Sequence, residues 1–107
     1  MSEFPKGRVV HLSQAIEYSD GSVVSKQLIK CATGNITLFA FDKGEGLSEH
    51  TTPFDALLQV LEGEVEITID NKHFKLRQGD SIILPANHPH KVQAAEKFKM
   101  LLTMIRG

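Results

Sequence analysis

Two short stretches of the sequence carry histidines in patterns that metal or proton chemistry could use. Residues 85–90 are PANHPH, so a rigid proline separates the imidazoles of His88 and His90. In the second stretch, His50 and Thr52 share parity, and on an extended strand both side chains would leave the same face. A neutral imidazole is the commonest protein ligand for a metal and also a ready proton carrier. Which of these rings can meet depends on the elements that carry them.

The composition excludes several classes of function. The chain has 107 residues, close to the commonest domain size, and we expect one domain over residues 1–107. Its net charge of −1 is unlike the basic footprint of a nucleic-acid-binding protein. Cys31 is the only cysteine, so no intramolecular disulfide can form. Residues 1–10 lack the apolar core of a signal peptide, and no apolar run approaches about 20 residues. We therefore expect a soluble, cytoplasmic protein with no membrane partner.

Short segments of alternating polarity, separated by turn residues, predict an all-β protein. The clearest is a hairpin over residues 64–77, in which Asp70 and Asn71 turn the chain because both tolerate left-handed backbone angles. Residues 35–41 are apolar on both faces over part of their length, as expected for a strand covered on both sides. The only helical turn we expect is over residues 13–18, with Ser13 as its cap. Many short, regularly spaced strands favour a sandwich or a barrel with a pocket at its mouth. Further strands are predicted over 23–29, 57–61, 82–84, 90–94 and 98–104.

The chain resembles the cupin superfamily in two motifs, which occur in order between residues 44 and 94. The first motif of that family is glycine, five residues, His-x-His, three or four residues, glutamate, six residues and glycine. The second is glycine, five residues, Pro-x-Gly, two residues and histidine. The resemblance implies a cupin-type jelly-roll barrel, also described as a double-stranded β-helix. The matching positions are Gly44, His50, Thr52, Ala56 and Gly63 in the first motif, and Gly79, Pro85, Asn87 and His90 in the second.

The resemblance also implies a metal site, of which this sequence retains half. Typical cupins hold a divalent metal with the two histidines and the glutamate of the first motif and the histidine of the second. His50 and His90 match two of these ligands, whereas Thr52 and Ala56 replace the other two. A neutral hydroxyl is a poor ligand and a methyl group is none, so we expect no tightly bound structural metal. A zinc, nickel, iron, manganese or copper ion held weakly by His50 and His90 remains an alternative to a metal-free pair.

The other candidate residues receive simpler interpretations. His88 is expected on an exposed rim and His73 on the solvated face of the hairpin. The prolines of residues 85–90 would fix the turn that aims His90 inward. Cys31 is most simply a small buried or half-buried residue. The side chains of Glu49 and Asp55 are out of phase with His50 and should point away from it.

These residues support two functions between which the sequence does not decide. The first is a small-molecule-binding protein of unassigned ligand, with a pocket at the barrel mouth and Ile83 deeper in. The second, implied by the resemblance, is a metal-dependent enzyme of the oxygenase or isomerase type, for which no catalytic residue can be assigned. The predicted pocket consists of His50, Thr52, Ala56, Leu58 and His90.

An assembly role is compatible with both functions. The resemblance implies a homodimer formed by sheet packing. Within the N-terminal segment, residues 1–22, the stretch 7–12 (GRVVHL) could add a strand to a neighbouring copy. A homodimer and a small-molecule ligand are therefore the expected partners.

Overall fold

The computed structural model describes residues 4–106, and this part of the chain consists of nine β-strands and one short 3₁₀ turn. The predicted all-β class is confirmed. Residues 1–3 and 107, which the predicted single domain includes, lie outside the described residues. No helix in the described part is long and apolar enough to cross a membrane. The elements are the 3₁₀ turn Leu12–Gln14, β1 (Val23–Cys31), β2 (Gly34–Phe41), β3 (Gly46–His50), β4 (Ala56–Glu62), β5 (Glu64–Ile69), β6 (Lys72–Arg77), β7 (Ser81–Leu84), β8 (His90–Ala94) and β9 (Phe98–Ile105).

The strands form two antiparallel sheets that pack face to face. One sheet has the order β1-β2-β9-β4-β7 and the other the order β3-β8-β5-β6. Most neighbours in these sheets are far apart in the sequence, since β9 lies between β2 and β4 and β8 between β3 and β5. This is the predicted jelly-roll arrangement of a barrel. The predicted hairpin is β5–β6, whose register pairs Ile69 with Lys72 across the turn.

The core between the sheets is built from the inward side chains of both. Phe41 and Phe98 are fully buried, and their rings stack with centroids 4.5 Å apart. Leu58, Ile67 and Met100 are also inaccessible to solvent. Burying side chains of this size contributes about 1.5–3 kcal/mol each, so this cluster is the main source of stability.

A second, smaller cluster lies on the outer face of the five-stranded sheet. Leu38 and Ala40 of β2 face outward and are completely buried, because Ile16 of the N-terminal segment packs over them. The prediction that residues 35–41 are covered on both sides is therefore confirmed. Lys99 is buried on the same face, and its ammonium group donates a hydrogen bond to the carbonyl oxygen of Ser13.

The segment over this face is less helical than the sequence suggested. The 3₁₀ turn begins at Leu12, preceded by His11 in extended conformation, so the prediction that Ser13 caps a turn is wrong. One turn of helix is too short to be stable alone, and packing onto the sheet decides the conformation instead. Tyr18 anchors the end of the segment by donating a hydrogen bond to the Glu62 carboxylate. Burial and this carboxylate raise the pKa of Tyr18.

Two predicted turns are confirmed by their backbone angles, and a third turn, at Gly63, joins β4 to β5. Asp70 and Asn71 have φ of 50° and 66°, and Asn87, which stands where the resembling motif has glycine, has φ of 65°. Gly63 between β4 and β5 has φ of 84°, and a Cβ atom there would clash with the carbonyl oxygen of Lys97. The chain can make this turn only with glycine.

Candidate functional site

The two sheet strands that carry the candidate histidines are neighbours, and they bring the two rings together. His50 ends β3 and His90 begins β8, and the two residues are directly paired in the sheet. Their Nε2 atoms lie 3.1 Å apart, and the ring planes meet at 71°. Two imidazoles that are 40 residues apart in the chain therefore form one hydrogen-bonded pair.

A close approach of backbones makes this pairing possible. A Cβ atom at Gly46, the first residue of β3, would clash with the carbonyl oxygen of Val92 in β8. Two further backbone hydrogen bonds, from Gly44 to the Ala94 carbonyl and from Ala94 to the Glu45 carbonyl, continue the pairing beyond β3. The ladder between β3 and β8 thus begins at a glycine and ends at the histidine pair.

The His50 ring is exposed but held in a defined orientation. Its Nδ1 lies 2.8 Å from the carbonyl oxygen of Ser48. Because a carbonyl oxygen only accepts, Nδ1 of the neutral ring must carry the proton, and Nε2 then presents its lone pair to His90. Backbone carbonyls orient metal-binding and catalytic imidazoles in the same way.

The His90 ring is buried, and part of its hydrogen-bonding capacity is unused. The residue is 4% exposed, and its Nδ1 has no partner of acceptable geometry within residues 4–106. Burial, and secondly the neighbouring His50 ring, lower the pKa of His90, while the backbone carbonyl of His88 partly opposes this shift. Because His50 presents a lone pair, the 3.1 Å contact requires the neutral His90 to donate from Nε2, and its own Nδ1 is then left without a hydrogen bond of acceptable geometry among the described residues. An unsatisfied buried polar atom costs about 1–3 kcal/mol and is often retained for a function.

Hydrogen bonds between loops fix the chain on both sides of the pair. The Asn87 amide donates to the Thr52 carbonyl oxygen and the Ala86 amide to the Asp55 carboxylate, both at 2.7 Å. The predicted orientation of Asp55 away from His50 agrees with this contact. The loop that follows His50 and the loop that precedes His90 therefore form one connected unit.

His88 lies on the rim, where it contacts the turn between β5 and β6. Its side chain is about half exposed, and its Nδ1 lies 2.7 Å from a carboxylate oxygen of Asp70. The Asp70 amide also donates to the carbonyl oxygen of Pro89. The exposed position predicted for His88 is confirmed, but its partner Asp70 was missed. Only the pairing of β5 with β8, which brings the hairpin turn beside this loop, could have indicated it.

Three predicted pocket residues lie near the barrel interior without a demonstrated ligand role. The Thr52 hydroxyl donates to the carbonyl oxygen of Phe54 at 3.0 Å. Ala56 and Leu58 are 5% and 0% exposed and belong to the core. Their part in a pocket with His50 and His90 stays a prediction.

Two other predictions about the surface are wrong. Ile83 is 61% exposed on the outer face of its sheet, opposite Leu57, and does not lie deep in the barrel. Cys31 is exposed, because it ends the edge strand β1, which no other element of residues 4–106 covers at this point. His73 is exposed as predicted and contacts Glu66 and Thr68 on its own hairpin.

The residues present do not fit a resident metal ion. Two imidazole nitrogens 3.1 Å apart have the spacing of neighbouring ligands of one ion, with an angle of about 95° for metal–nitrogen distances of about 2.1 Å. Within residues 4–106, however, no group of three or more His, Cys, Asp or Glu could hold an ion. The Thr52 hydroxyl is engaged elsewhere and Ala56 ends in a methyl group. Stable protein sites normally supply three or four ligands, so His50 and His90 alone are insufficient.

The chain is a small jelly-roll barrel with a pair of histidines in contact at one end. Residues 37–106 match the family model described as the cupin domain, and the chain belongs to this family. The resemblance that the two motifs indicated is thereby confirmed.

Two solved structures share the fold over nearly the whole chain, and a third relative matches part of the sequence. A conserved protein of unknown function from Streptococcus pyogenes is 33% identical, with a TM-score of 0.92, and the match covers 100% of this chain and 96% of that one. A cupin superfamily protein from Desulfitobacterium hafniense DCB-2 is 31% identical, with a TM-score of 0.92 and coverage of 99% and 97%. An uncharacterised protein from Methanocaldococcus jannaschii is 36% identical over 47 residues, which are 44% of this chain but only 37% of that protein.

Proposed function

We propose that this protein binds a small organic molecule at the end of the barrel where His50 and His90 meet, which we call the histidine end. The observation that carries the proposal is the converging pair of Nε2 atoms, backed by the buried His90 ring, whose Nδ1 finds no partner in the described part of the chain. A few convergent polar groups at the mouth of an apolar interior are typical of small-molecule sites.

The packing of the interior favours entry at this end. Along β9 the inward side chains change from fully buried at Phe98 and Met100 to partly buried at Leu102 and Met104. Met104 lies opposite Ala56, the residue that replaces the family's glutamate. The apolar wall is therefore more accessible towards the histidine end than at the opposite end.

The chemistry of the pair favours a ligand that carries a hydroxyl group. The neutral pair offers one N–H donor, on His90, and one lone pair, on His50. These two groups bond to each other in the ligand-free protein. A hydroxyl group placed between the rings would replace that bond, because it accepts one hydrogen bond and donates another. Sugars, phenolics and hydroxy acids are three classes that carry this group, and their apolar parts would rest on Leu102 and Met104.

A screen of these classes tests the proposal. Ligand-observed NMR with sugars, phenolics and organic acids should give hits that disappear in His50→Ala and in His90→Ala. His73→Ala, an exposed histidine on another part of the barrel, is the matched control and should bind as the parent does. Hits that persist unchanged in both variants of the pair would contradict the proposal.

The second candidate function is a metal-dependent enzyme of the oxygenase or isomerase type. The spacing of the two Nε2 atoms favours it, and the missing carboxylate argues against it. Water or the organic ligand would then have to complete the coordination of the ion. Elemental analysis after loading with zinc, nickel, iron, manganese or copper distinguishes the candidates. One ion per chain, lost in His50→Ala and His90→Ala but retained in His88→Ala, would favour the enzyme. Clearly substoichiometric metal would exclude it.

The proposed compartment is the cytoplasm. Cys31 is an exposed, unpaired thiol, which is more compatible with a reducing environment than with an oxidising one. Localisation of a tagged full-length chain would test this directly.

A further inference from the structure

The loop that leads into His90 is held by a second carboxylate, on the side next to the buried ring. Asp70, in the turn between β5 and β6, has one carboxylate oxygen 2.7 Å from the Nδ1 of His88. The amide of Asp70 also donates to the carbonyl oxygen of Pro89 at 3.1 Å. Because a carboxylate only accepts, the Nδ1 of His88 carries the proton in this contact. Asp70 therefore contacts both residues that lie between Asn87 and His90.

The backbone alone fixes the peptide group between His88 and Pro89 only weakly. Proline has no amide hydrogen, so this peptide group has no donor with which to bind a neighbour. The amide of His88 donates to the carbonyl oxygen of Pro85, but this bond is long, at 3.4 Å. The shortest hydrogen bond that orients His88 is therefore the one from its side chain to Asp70.

The carbonyl group of His88 connects this contact to the binding site, because it lies beside the ring of His90. Burial and His50 lower the pKa of His90, and the His88 carbonyl partly opposes this shift. The ring of His50 has a corresponding contact, since its Nδ1 lies 2.8 Å from the carbonyl oxygen of Ser48, two residues earlier. A His88 carbonyl turned fully towards the Nδ1 of His90 would accept the proton of that nitrogen. The Nε2 of His90 would then lose the hydrogen that it donates to His50.

We propose that Asp70 is a positioning residue, which acts through His88 and keeps the carbonyl of His88 out of hydrogen-bonding geometry with the Nδ1 of His90. The pair of His50 and His90 then stays in its donor–acceptor arrangement. This inference rests on the proposed function, because the pair is the place where the organic molecule would bind. The side chains of His88 and Asp70 are 51% and 46% exposed, and exposed contacts of this kind add little to stability. The contact should therefore affect the orientation of the rings and not the unfolding of the barrel.

Three variants isolate the contact, and a fourth is its control. Asp70→Gly removes the carboxylate without the strain that alanine would suffer at a φ of 50°. His88→Ala removes the other partner. Asp70→Asn keeps an oxygen that can accept from His88 and tolerates the same φ, so it should behave as the parent does. Glu66→Ala is the matched control, because it deletes a carboxylate 3.3 Å from the Nδ1 of His73, on the strands of the same hairpin and not at its turn.

Two readouts on the ligand-free protein at neutral pH test the proposal. Long-range ¹H–¹⁵N spectra report which nitrogen of each ring carries the proton. The rate of carbethoxylation by diethyl pyrocarbonate, assigned to His50 by peptide mass spectrometry, reports whether its Nε2 lone pair is free. We expect Asp70→Gly and His88→Ala to give a mixture of the two tautomers at His90. They should raise the rate at His50 about two- to fivefold, the shift expected from the loss of one exposed contact.

The controls should separate a positioning role from a structural one. Asp70→Asn and Glu66→Ala should match the parent in both readouts. The double variant Asp70→Gly, His88→Ala should react no faster than either single variant, because the two residues act as one unit. Urea unfolding should give the same midpoint for all of these proteins.

Three outcomes would overturn the proposal. The first is a parent-like spectrum and rate in both Asp70→Gly and His88→Ala. The second is an equal change in Glu66→Ala or in Asp70→Asn, and the third is a change that follows a loss of stability. Circular dichroism confirms that each variant is folded, and His88→Ala provides the test if Asp70→Gly is not. Because no ligand is added, a screen without hits would refute the proposed function and leave this result unaffected.

Discussion

The two ends of the barrel interior differ in how they satisfy their buried groups. At one end, which we call the phenylalanine end, β8 finishes at Ala94 and β9 begins at Phe98, and the stacked rings of Phe41 and Phe98 are fully buried. At the histidine end, His90 is also buried, but its Nδ1 has no hydrogen-bond partner within residues 4–106. The phenylalanine end is therefore closed by apolar packing. The histidine end is less stable than apolar packing would make it, because it contains a buried polar ring.

Side-chain hydrogen bonds join loops at both ends, but only the phenylalanine end has a turn packed against backbone. Next to Phe98, backbone packing is so close that only glycine fits at position 63. At the histidine end the loops are joined by side-chain hydrogen bonds, from Ala86 to Asp55 and between His88 and Asp70. A site joined by such bonds can adjust to a ligand more readily than close-packed backbone can. Stability should therefore depend chiefly on the phenylalanine end and binding on the histidine end.

The largest effect is expected from a cavity at the phenylalanine end. Phe98→Ala removes a fully buried ring that stacks on Phe41, and we expect it to lower the free energy of unfolding by about 3–5 kcal/mol. Urea unfolding followed by circular dichroism measures this. Phe74→Ala, at a 39% exposed position, is the control and should cost much less. Equal losses in the two variants would remove the basis of the comparison.

The turn beside Phe98 should be the next most sensitive position. Gly63→Ala combines a positive φ with a clash against backbone, so we expect a loss of about 1–3 kcal/mol. Gly44→Ala is a matched control, because φ there is 85° but a Cβ atom would meet open space. The difference between the two unfolding free energies isolates the effect of the clash. If Gly44→Ala lowered the free energy of unfolding as much as Gly63→Ala, the positive φ alone, without the clash, would explain the loss at Gly63.

At the histidine end, removal of the buried polar group should separate stability from binding. His90→Leu replaces an unsatisfied ring by an apolar side chain, so stability should stay within about 1 kcal/mol of the parent or rise. Ligand binding should be lost. Thermal unfolding and the NMR screen measure the two effects on the same sample. A loss of more than about 3 kcal/mol would show that His90 is a structural residue.

The smallest effect concerns acid stability at the phenylalanine end. Asp42, directly after Phe41, accepts hydrogen bonds from the amides of Gly21 and Lys43, which lower the pKa of its carboxyl below 3.8. The unfolded chain therefore binds a proton more readily than the folded one. The stabilisation from this group is complete well above pH 3.8 and is lost as the pH falls below it. In Asp42→Asn, the free energy of unfolding should lack this group's contribution to the fall between about pH 5 and pH 2. If the free energies of unfolding of the parent and the variant changed with pH in parallel, this expectation would be wrong.

Local pattern was sufficient to predict much of the fold. The alternation over residues 64–77 predicted the β5–β6 hairpin, and the tolerance of Asp70 and Asn71 for positive φ predicted its turn. Motif spacing led to the prediction that His50 and His90 share a site, and Asn87 adopts the backbone angle expected of the glycine it replaces. Each of these features depends on residues that are close together in the sequence, or on a motif that members of a family share.

The predictions that failed depend on contacts between distant parts of the chain. The alternation of side chains along β7 places Ile83 on the opposite face from Ile82 and Leu84. Because all three residues are apolar, the sequence does not show which of the two faces is the inner one. Cys31 is exposed because β1 is an edge strand, which only the order of the sheet reveals. The contact between His88 and Asp70 likewise follows from the pairing of β5 with β8. Sheet order is set by long-range packing, and one sequence carries little information about it.

The most direct test of the account is the protonation state of the two imidazoles in the ligand-free protein at neutral pH. Long-range ¹H–¹⁵N spectra of ¹⁵N-labelled protein report which ring nitrogen carries the proton. We expect His50 to be protonated on Nδ1 and His90 on Nε2, the complementary arrangement that their 3.1 Å contact requires. Two rings with the same tautomer, or with the rapid averaging of free imidazoles, would mean that they do not form a pair, and the proposed binding element would then be absent.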